Sequence, residues 1–303
     1  MRRKRGTMSV GKRLGWLGMC LLVFLASVVV QFVAAIIMVF PATFTAGFKA
    51  GMQGISDMDT INQMSMEAIE GIMPVTIVVT HILILVTFLI WYRFGCGKPS
   101  LKKVNYKDLL QPKHIIAMVL IALGMNFVAN YGLVLVYPLI PESIVENYES
   151  LMESAGFGES LLPTIAAVCL APFGEEFVFR GVTFHYAKKA VADLQNRKLA
   201  FWIANAIQAF LFGVFHLNII QGTYAFILGM VLGYLAYRFK SILPAILGHM
   251  IFNGFSSFFA EPIAQQIPET DLAYGIVVVI AVVVMVAGRF LAGPAVKQEV
   301  MAE

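Results

Sequence analysis

Two adjacent glutamates, Glu175 and Glu176, lie inside a long apolar stretch of the sequence. A charged side chain at bilayer depth costs about 2.5–3.5 kcal/mol, so each such residue is a candidate for a functional role. Arg180 follows Glu176 by four residues, in the order that favours an ion pair on one helical face. Neighbouring residues of a helix point about 100° apart. We therefore expect Glu175 to face a different partner.

Pro172 and Gly174 stand just before the glutamates and are typical helix breakers. If the helix restarts there, both carboxylates lie near the positive end of a helix dipole. The alternative is an ion pair buried only for packing. That alternative leaves Glu175 unexplained, because an unpaired buried carboxylate is costly.

Two later apolar stretches carry further polar side chains. His216 ends the sequence Phe-Gly-Val-Phe-His that begins at Phe212, and His249 precedes Asn253 by four residues. His249 and Asn253 share a helical face, which indicates a polar partner, a cavity or an interhelical hydrogen bond. A carboxylate can activate water, and imidazole and amide N–H groups can stabilise an oxyanion. Together these residue types predict hydrolytic chemistry.

The composition shows what kind of protein must position these groups. Of 303 residues, 59% are hydrophobic and 13% are charged, and the mean hydropathy is +0.80. Soluble domains are about 45–50% apolar and about 25% charged, so a soluble globular protein is excluded, as is a disordered chain. The net charge of +4 does not by itself suggest a nucleic-acid partner.

The apolar residues cluster into runs long enough to cross a bilayer, which takes about 20 residues per helix. We therefore predict an all-α polytopic membrane protein with a single integral membrane domain over residues 1–303. The eight predicted spans are 14–40, 74–92, 115–140, 161–184, 199–215, 224–237, 242–260 and 272–290. Segments 57–72 and 141–153 have the pattern of amphipathic interfacial helices.

The connections between the spans alternate in charge. Twenty of the 22 lysines and arginines fall in alternate connections and at the two termini, whereas 12 of the 18 acidic residues fall in the others. Basic connections stay in the cytoplasm, so we predict that both termini are cytoplasmic. A tilted or partly re-entrant hairpin over 199–237 would bring His216 to the depth of His249. Asn126 and Asn130, four residues apart, predict interhelical hydrogen bonds.

The three motifs, in this order, resemble the CPBP family. They are Glu-Glu-x-x-x-Arg at 175–180, Phe-x-x-x-His at 212–216 and His-x-x-x-Asn at 249–253. This group of intramembrane proteases, also called Abi, comprises CAAX proteases and bacteriocin-processing enzymes and includes the type II CAAX prenyl endopeptidases. The resemblance covers residues 161–259, which it implies are the catalytic core. It also implies a bacterial plasma membrane protein whose substrate is a membrane-embedded or lipid-anchored protein or peptide.

The resemblance implies a role for each motif residue. Glu175 would activate the attacking water with help from His216, while His249 and Asn253 would form the oxyanion site. Glu176 and Arg180 would form the supporting ion pair, and Phe212 would pack near the site.

The resemblance leaves the use of a metal open. Glu175, His216 and His249 could supply three ligands to a catalytic zinc ion, although no His-Glu-x-x-His motif is present. We favour the mechanism without a cofactor.

Two other functions fit the same polar residues. A proton-coupled transporter could use the glutamates as its relay, but the sequence has no internal repeat of the kind many transporters show. A non-catalytic immunity or scaffold protein of the membrane could keep the motifs without using them.

Overall fold

The computed structural model describes residues 7–96, 106–154 and 161–293, and within these ranges it contains helices and no strands. The predicted all-α class is confirmed. Helices of the first half are α1 (Val10–Met52), α2 (Met58–Gly95), α3 (Tyr106–Leu109), α4 (Pro112–Val136) and α5 (Glu142–Ser154). Those of the second half are α6 (Leu161–Ala190), α7 (Arg197–Phe215), α8 (Ile219–Phe239), α9 (Leu243–Phe258), α10 (Ala260–Ala264) and α11 (Asp271–Ala292).

Seven of the described helices are long and apolar enough to cross a membrane, namely α1, α2, α4, α6, α7, α8 and α11. This agrees with an integral membrane protein. The predicted span that is not among these seven is 242–260, which corresponds to α9, a helix of 16 residues. At 1.5 Å per residue α9 is about 24 Å long, shorter than a hydrocarbon core of about 30 Å. The count of eight and the cytoplasmic termini stay predictions.

The first two helices are much longer than predicted. With 43 and 38 residues, α1 and α2 measure about 64 and 57 Å. The segment 57–72, which we expected to be a separate interfacial helix, is instead continuous with the second span. Pro74 lies inside α2 without ending it, as membrane helices tolerate. The other amphipathic segment, 141–153, does form a helix of its own, α5.

Helix α6 lies at the centre of the described bundle. It contacts α1 and α2 on one side and α7, α8 and α9 on the other, while α11 packs along α4 at the periphery. The side chains that carry the three sequence motifs therefore come from α6, α7 and α9, which are neighbours in space.

Helices α7 and α8 form a tight hairpin. The turn between them is only three residues long, and Leu217 in that turn has a left-handed φ of 53°. Asn218 caps α8 by accepting hydrogen bonds from the backbone N–H groups of Ile220 and Gln221. The hairpin holds His216 at the end of α7. How deep this turn lies in the membrane stays a prediction.

Two glycines allow the hairpin to close. A Cβ added to Gly213 would lie 2.6 Å from the carbonyl oxygen of Gly222, and one added to Gly222 would lie 2.8 Å from that of Gly213. Backbone atoms cannot move aside as a flexible side chain can. Gly213, the residue after the phenylalanine of the Phe-x-x-x-His motif, is therefore required for the close approach of α7 and α8.

We expect Gly213→Ala to destabilise the protein by about 1–3 kcal/mol, because the added methyl forces the two helices apart. The control is Gly132→Ala in α4, where a Cβ meets nothing within 4 Å. There alanine should stabilise the helix by about 0.5–1 kcal/mol. Thermal unfolding in detergent, followed by circular dichroism, measures both. Equal stability of the two variants would contradict the packing argument.

The start of the described chain is attached to the far end of α6. Asp193 accepts hydrogen bonds from the backbone N–H of Met8 and from the guanidinium of Arg13, and these contacts lower the pKa of the Asp193 carboxyl. Several residues used in the charge argument lie outside the described residues: Arg2, Arg3, Lys4, Arg5, Lys98, Lys102, Lys103, Glu159 and Lys297.

Candidate active site

Helix α6 does not break before the glutamates. The expected restart at Pro172 and Gly174 is wrong, because the backbone stays helical and widens into two π-helical segments, Ala166–Leu170 and Phe177–Thr183. The glutamates therefore do not lie at a free helix N-terminus. The π register accommodates the proline without a break.

In the first π-helical segment one backbone carbonyl has no backbone donor, and a side chain of the His-x-x-x-Asn motif donates to it instead. The N–H of Ala171 bonds to the carbonyl of Ala166, so the carbonyl of Ala167 would pair with residue 172, a proline without an N–H. The side-chain N–H of Asn253 donates to Ala167 instead, at 2.8 Å. Asn253 is thereby held against α6 with its second N–H still available.

Gly174 does not break the helix but allows close packing of α6 against α2. A Cβ added there would lie 3.1 Å from the side chain of Ile84 and 3.6 Å from the carbonyl oxygen of His81, both on α2. The glycine lets α2 approach α6 closely beside the glutamates.

Glu176 is the centre of a buried polar cluster. Its Oε1 accepts a hydrogen bond from Nη1 of Arg180 at 2.8 Å and lies 3.0 Å from Nδ1 of His249. All three residues are buried. A carboxylate only accepts, so Nδ1 of His249 carries the proton of this bond. The predicted pairing of Glu176 and Arg180 is therefore present, with His249 as a second partner.

Glu175 lies on the other side of the same imidazole. Its Oε2 is 3.8 Å from Nε2 of His249, too far for a hydrogen bond but close enough for a strong charge interaction. The expectation that the two glutamates cannot face one partner is wrong. An imidazole has nitrogens on two edges, so the ring of His249 lies between two carboxylates that point apart.

Phe212 joins the remaining groups. Its buried ring lies 4.3 Å from the guanidinium carbon of Arg180, and its centroid is 5.0 Å from that of His216 and 5.8 Å from that of His249. The ring is thus in contact range of all three motifs, and the histidines from α7 and α9 approach the same aromatic side chain.

The orientation of His216 is fixed by its own helix. Its Nδ1 lies 2.9 Å from the carbonyl oxygen of Phe212. Because a carbonyl can only accept, Nδ1 carries the proton in this bond, and the neutral ring keeps a lone pair on Nε2. The side chain is half-buried.

All six predicted site residues are therefore accounted for. Four of them lie in one chain of contacts between basic and acidic side chains, in the order Arg180, Glu176, His249 and Glu175. The other two, Asn253 and His216, are held one helical turn from His249 and Phe212, respectively.

A further polar contact joins α4 to α9, the helix that carries the His-x-x-x-Asn motif. The amide of Asn126, on α4, donates to the carbonyl of Phe252 and the hydroxyl of Ser256 on α9. The sequence predicted interhelical hydrogen bonds for Asn126 and Asn130. The prediction is confirmed for Asn126, whereas the amide of Asn130 donates to Asn126 within α4. The spacing of Asn126 from Asn130 was the signal, but the spacing could not indicate which helix Asn126 contacts.

The candidate zinc ligands do not form a ligand cluster. Among the described residues no group of three or more His, Cys, Asp or Glu side chains is placed to hold a metal ion. His249 is engaged with Glu176 through Nδ1, and His216 is turned towards its own backbone through Nδ1. Neither ring has a hydrogen bond at Nε2 in the described structure, and Nε2 is the nitrogen that an imidazole offers to a metal when Nδ1–H is held by a carboxylate or a carbonyl. The use of a metal by Glu175, His216 and His249 stays a prediction.

Residues 157–255 match the family described as type II CAAX prenyl endopeptidase Rce1-like. The chain carries an Rce1-like domain. The resemblance of the three motifs to CAAX-type proteases is thus confirmed. Comparisons with the curated proteins and with the solved structures found no significant match.

The Rce1-like domain includes α6, α7, α8 and most of α9, and so contains every residue of the buried polar cluster. Helices α1, α2, α4 and α11 lie outside it. The match supports a CAAX-type intramembrane endopeptidase in general, embedded in a bilayer where its substrates are membrane-associated.

Proposed function

We propose that this protein hydrolyses a peptide bond of a membrane-embedded or lipid-anchored protein or peptide, with Glu175 as the general base. The observation that carries the proposal is the buried arrangement of Glu175, Glu176, His249 and Arg180 inside the Rce1-like domain. Burying these charged groups in an apolar helix bundle is energetically costly. A catalytic role accounts for that cost, and in particular for a second glutamate without a hydrogen-bonded cation.

The first step of the proposed reaction is activation of water. Arg180 and Nδ1 of His249 are engaged by Glu176, which leaves the Glu175 carboxylate able to accept a proton. The Nε2 lone pair of His216 supplies a second acceptor to orient the water. The water oxygen adds to the substrate carbonyl carbon while one of its protons passes to Glu175.

The second requirement is stabilisation of the oxyanion. When His249 is protonated, Nδ1–H stays on Glu176 and Nε2–H becomes a donor. The second N–H of Asn253 is a further donor, because the first is bound to Ala167. Two such donors held in a low-dielectric site stabilise the charge that forms on the carbonyl oxygen.

The final step breaks the bond between the carbonyl carbon and the peptide nitrogen. Glu175 returns its proton to the departing nitrogen, and the products are a carboxylic acid and an amine, which then exchange a proton to give a carboxylate and an ammonium group. Glu176 and Arg180 take no proton in this scheme. Their contribution is to hold His249 in one orientation and to balance its charge.

We expect activity to survive removal of divalent metal. The measurement is bound zinc by elemental analysis of the active purified protein, together with cleavage before and after chelation. The proposal predicts substoichiometric zinc and unchanged cleavage. Loss of cleavage on chelation, with recovery on adding zinc, would replace it with a metal-dependent reaction.

The activity itself is tested with a defined probe. A quenched fluorescent peptide with an S-farnesyl cysteine as the fourth residue from its carboxyl terminus has the CAAX arrangement. Purified protein in nanodiscs should cleave it after the modified cysteine. Comparative peptidomics of cells that express wild type or Glu175→Ala identifies the natural substrates. Absence of any Glu175-dependent product in both experiments would overturn the proposed function.

A further inference from the structure

We infer that Asn126, on α4 and outside the Rce1-like domain, is a positioning residue that holds α9 in register with α6. The inference rests on the proposed function, because its consequence is the placement of His249 and Asn253. It adds a residue that none of the three motifs contains.

Asn126 makes contacts that use its whole side chain. Nδ2 donates to the carbonyl oxygen of Phe252 at 3.1 Å and to Oγ of Ser256 at 2.5 Å, while Oδ1 accepts from Nδ2 of Asn130 at 3.0 Å. Asn126 is 1% exposed. A buried amide with its donors and acceptor engaged defines one geometry for the helices that it joins.

These contacts lie close to the proposed active site along α9. His249 and Asn253 contact α6, through Glu176 and Ala167. Asn126 binds the backbone carbonyl of Phe252, the residue immediately before Asn253, and the hydroxyl of Ser256, which lies one helical turn beyond Asn253 on the same face. Helix α9 is thus held by directional contacts from both α6 and α4.

The apolar contacts between α4 and α9 do not define register as sharply. The rings of Phe127 and Phe255 lie 5.4 Å apart, and such a contact persists when the helices slide slightly. A misplacement of about 1 Å at a catalytic group can cost about a hundredfold in rate. Loss of the Asn126 contacts should therefore reduce the rate of reaction more than substrate binding or folding.

Kinetics give the first test. We expect Asn126→Ala to lower kcat on the farnesylated probe about 10- to 100-fold while KM changes less than twofold. The matched control is Gly124→Ala on the same helix, where a Cβ would meet Met285 and Ala281 of α11 rather than α9. The control should lower the unfolding temperature but leave kcat unchanged. Equal decreases of kcat in the two variants would mean that Asn126 contributes only to stability, and would contradict the inference.

Ser256→Ala provides a milder test in case Asn126→Ala does not fold. This substitution removes only one hydrogen-bond acceptor of Asn126, at an exposed position of α9. It should lower kcat several-fold in the wild-type background. In the Asn126→Ala background it should have no further effect. Full activity of Ser256→Ala, or an additive loss in the double variant, would contradict the inference.

A readout without activity separates this inference from the proposed function. A Cβ on Gly254 would lie 3.4 Å from the side chain of Val168 on α6, so cysteines at these two positions are within reach of a disulfide. In a background without the three native cysteines, Asn126→Ala should slow oxidative cross-linking several-fold. An unchanged rate would refute the positioning role, whether or not the protein is a protease.

Discussion

Glu175→Gln is expected to lower kcat for cleavage of the farnesylated probe by about 10²–10⁴-fold, the range that a general base contributes. The amide has nearly the same shape as the carboxylate but cannot take a proton from water. KM should therefore change little. Because Glu175 has no hydrogen-bonded cation in the described structure, the substitution should also leave folding intact, as measured by thermal unfolding and by gel filtration in detergent.

The control for this variant is Glu149→Gln, which makes the same change at an exposed position of α5. It should retain wild-type kcat. Retention of cellular function by Glu175→Gln would favour a non-catalytic membrane protein. Proton-coupled flux in liposomes that needs Glu175, without any cleavage, would favour the transporter.

The second large effect is expected from the buried ion pair. Glu176→Leu leaves the guanidinium of Arg180 and the Nδ1–H of His249 without their acceptor in a buried position. Removing one partner of such a pair typically costs about 3–5 kcal/mol. We expect a loss of stability of this order, measured by unfolding in a denaturing detergent, together with loss of cleavage.

The double variant Glu176→Leu/Arg180→Met separates packing from function. Replacing both charges with apolar side chains of similar size is often neutral or stabilising, so most of the stability should return. Cleavage should not return, because His249 still lacks its acceptor. An active double variant would mean that the pair is buried for packing alone.

A second ion pair supplies the comparison for burial. Arg13 and Asp193 are 2.7 Å apart, close to the 2.8 Å between Arg180 and Glu176, but the side chain of Arg13 is 35% exposed. Asp193→Asn should cost far less stability than Glu176→Leu, since exposed pairs are screened by water. Similar losses of stability in the two variants would show that burial does not explain the cost of breaking the Glu176–Arg180 pair.

The amphipathic patterns illustrate how far local sequence information extends. Segment 141–153 was predicted as a helix and forms α5. Segment 57–72 was also predicted as helical, but as an interfacial helix separate from the span 74–92, whereas α2 runs through Pro74 and joins the two. Periodicity indicates which face of a helix is apolar. It does not show whether neighbouring turns will supply the hydrogen bonds that allow a proline to stay inside.

The same limit applies at Pro172. Proline correctly marked a local departure from α-helical geometry. In its π-helical form the carbonyl of Ala167 bonds to the side chain of Asn253, which lies 86 residues from Ala167 along the chain. A sequence window around Pro172 contains no information about that donor, so a break and a π-helical segment could not be distinguished.

The sequence by itself determined the membrane class, the helical fold and the polar residues of the candidate site, because charge and polarity are costly in an apolar helix and stand out wherever they occur. Only the tertiary structure decided how these residues pair. His249 lies between two glutamates 73 and 74 positions away, and Asn126 holds α9 from outside the Rce1-like domain. Such contacts depend on which helices are neighbours, and helix packing brings together residues whose separation along the chain follows no local period.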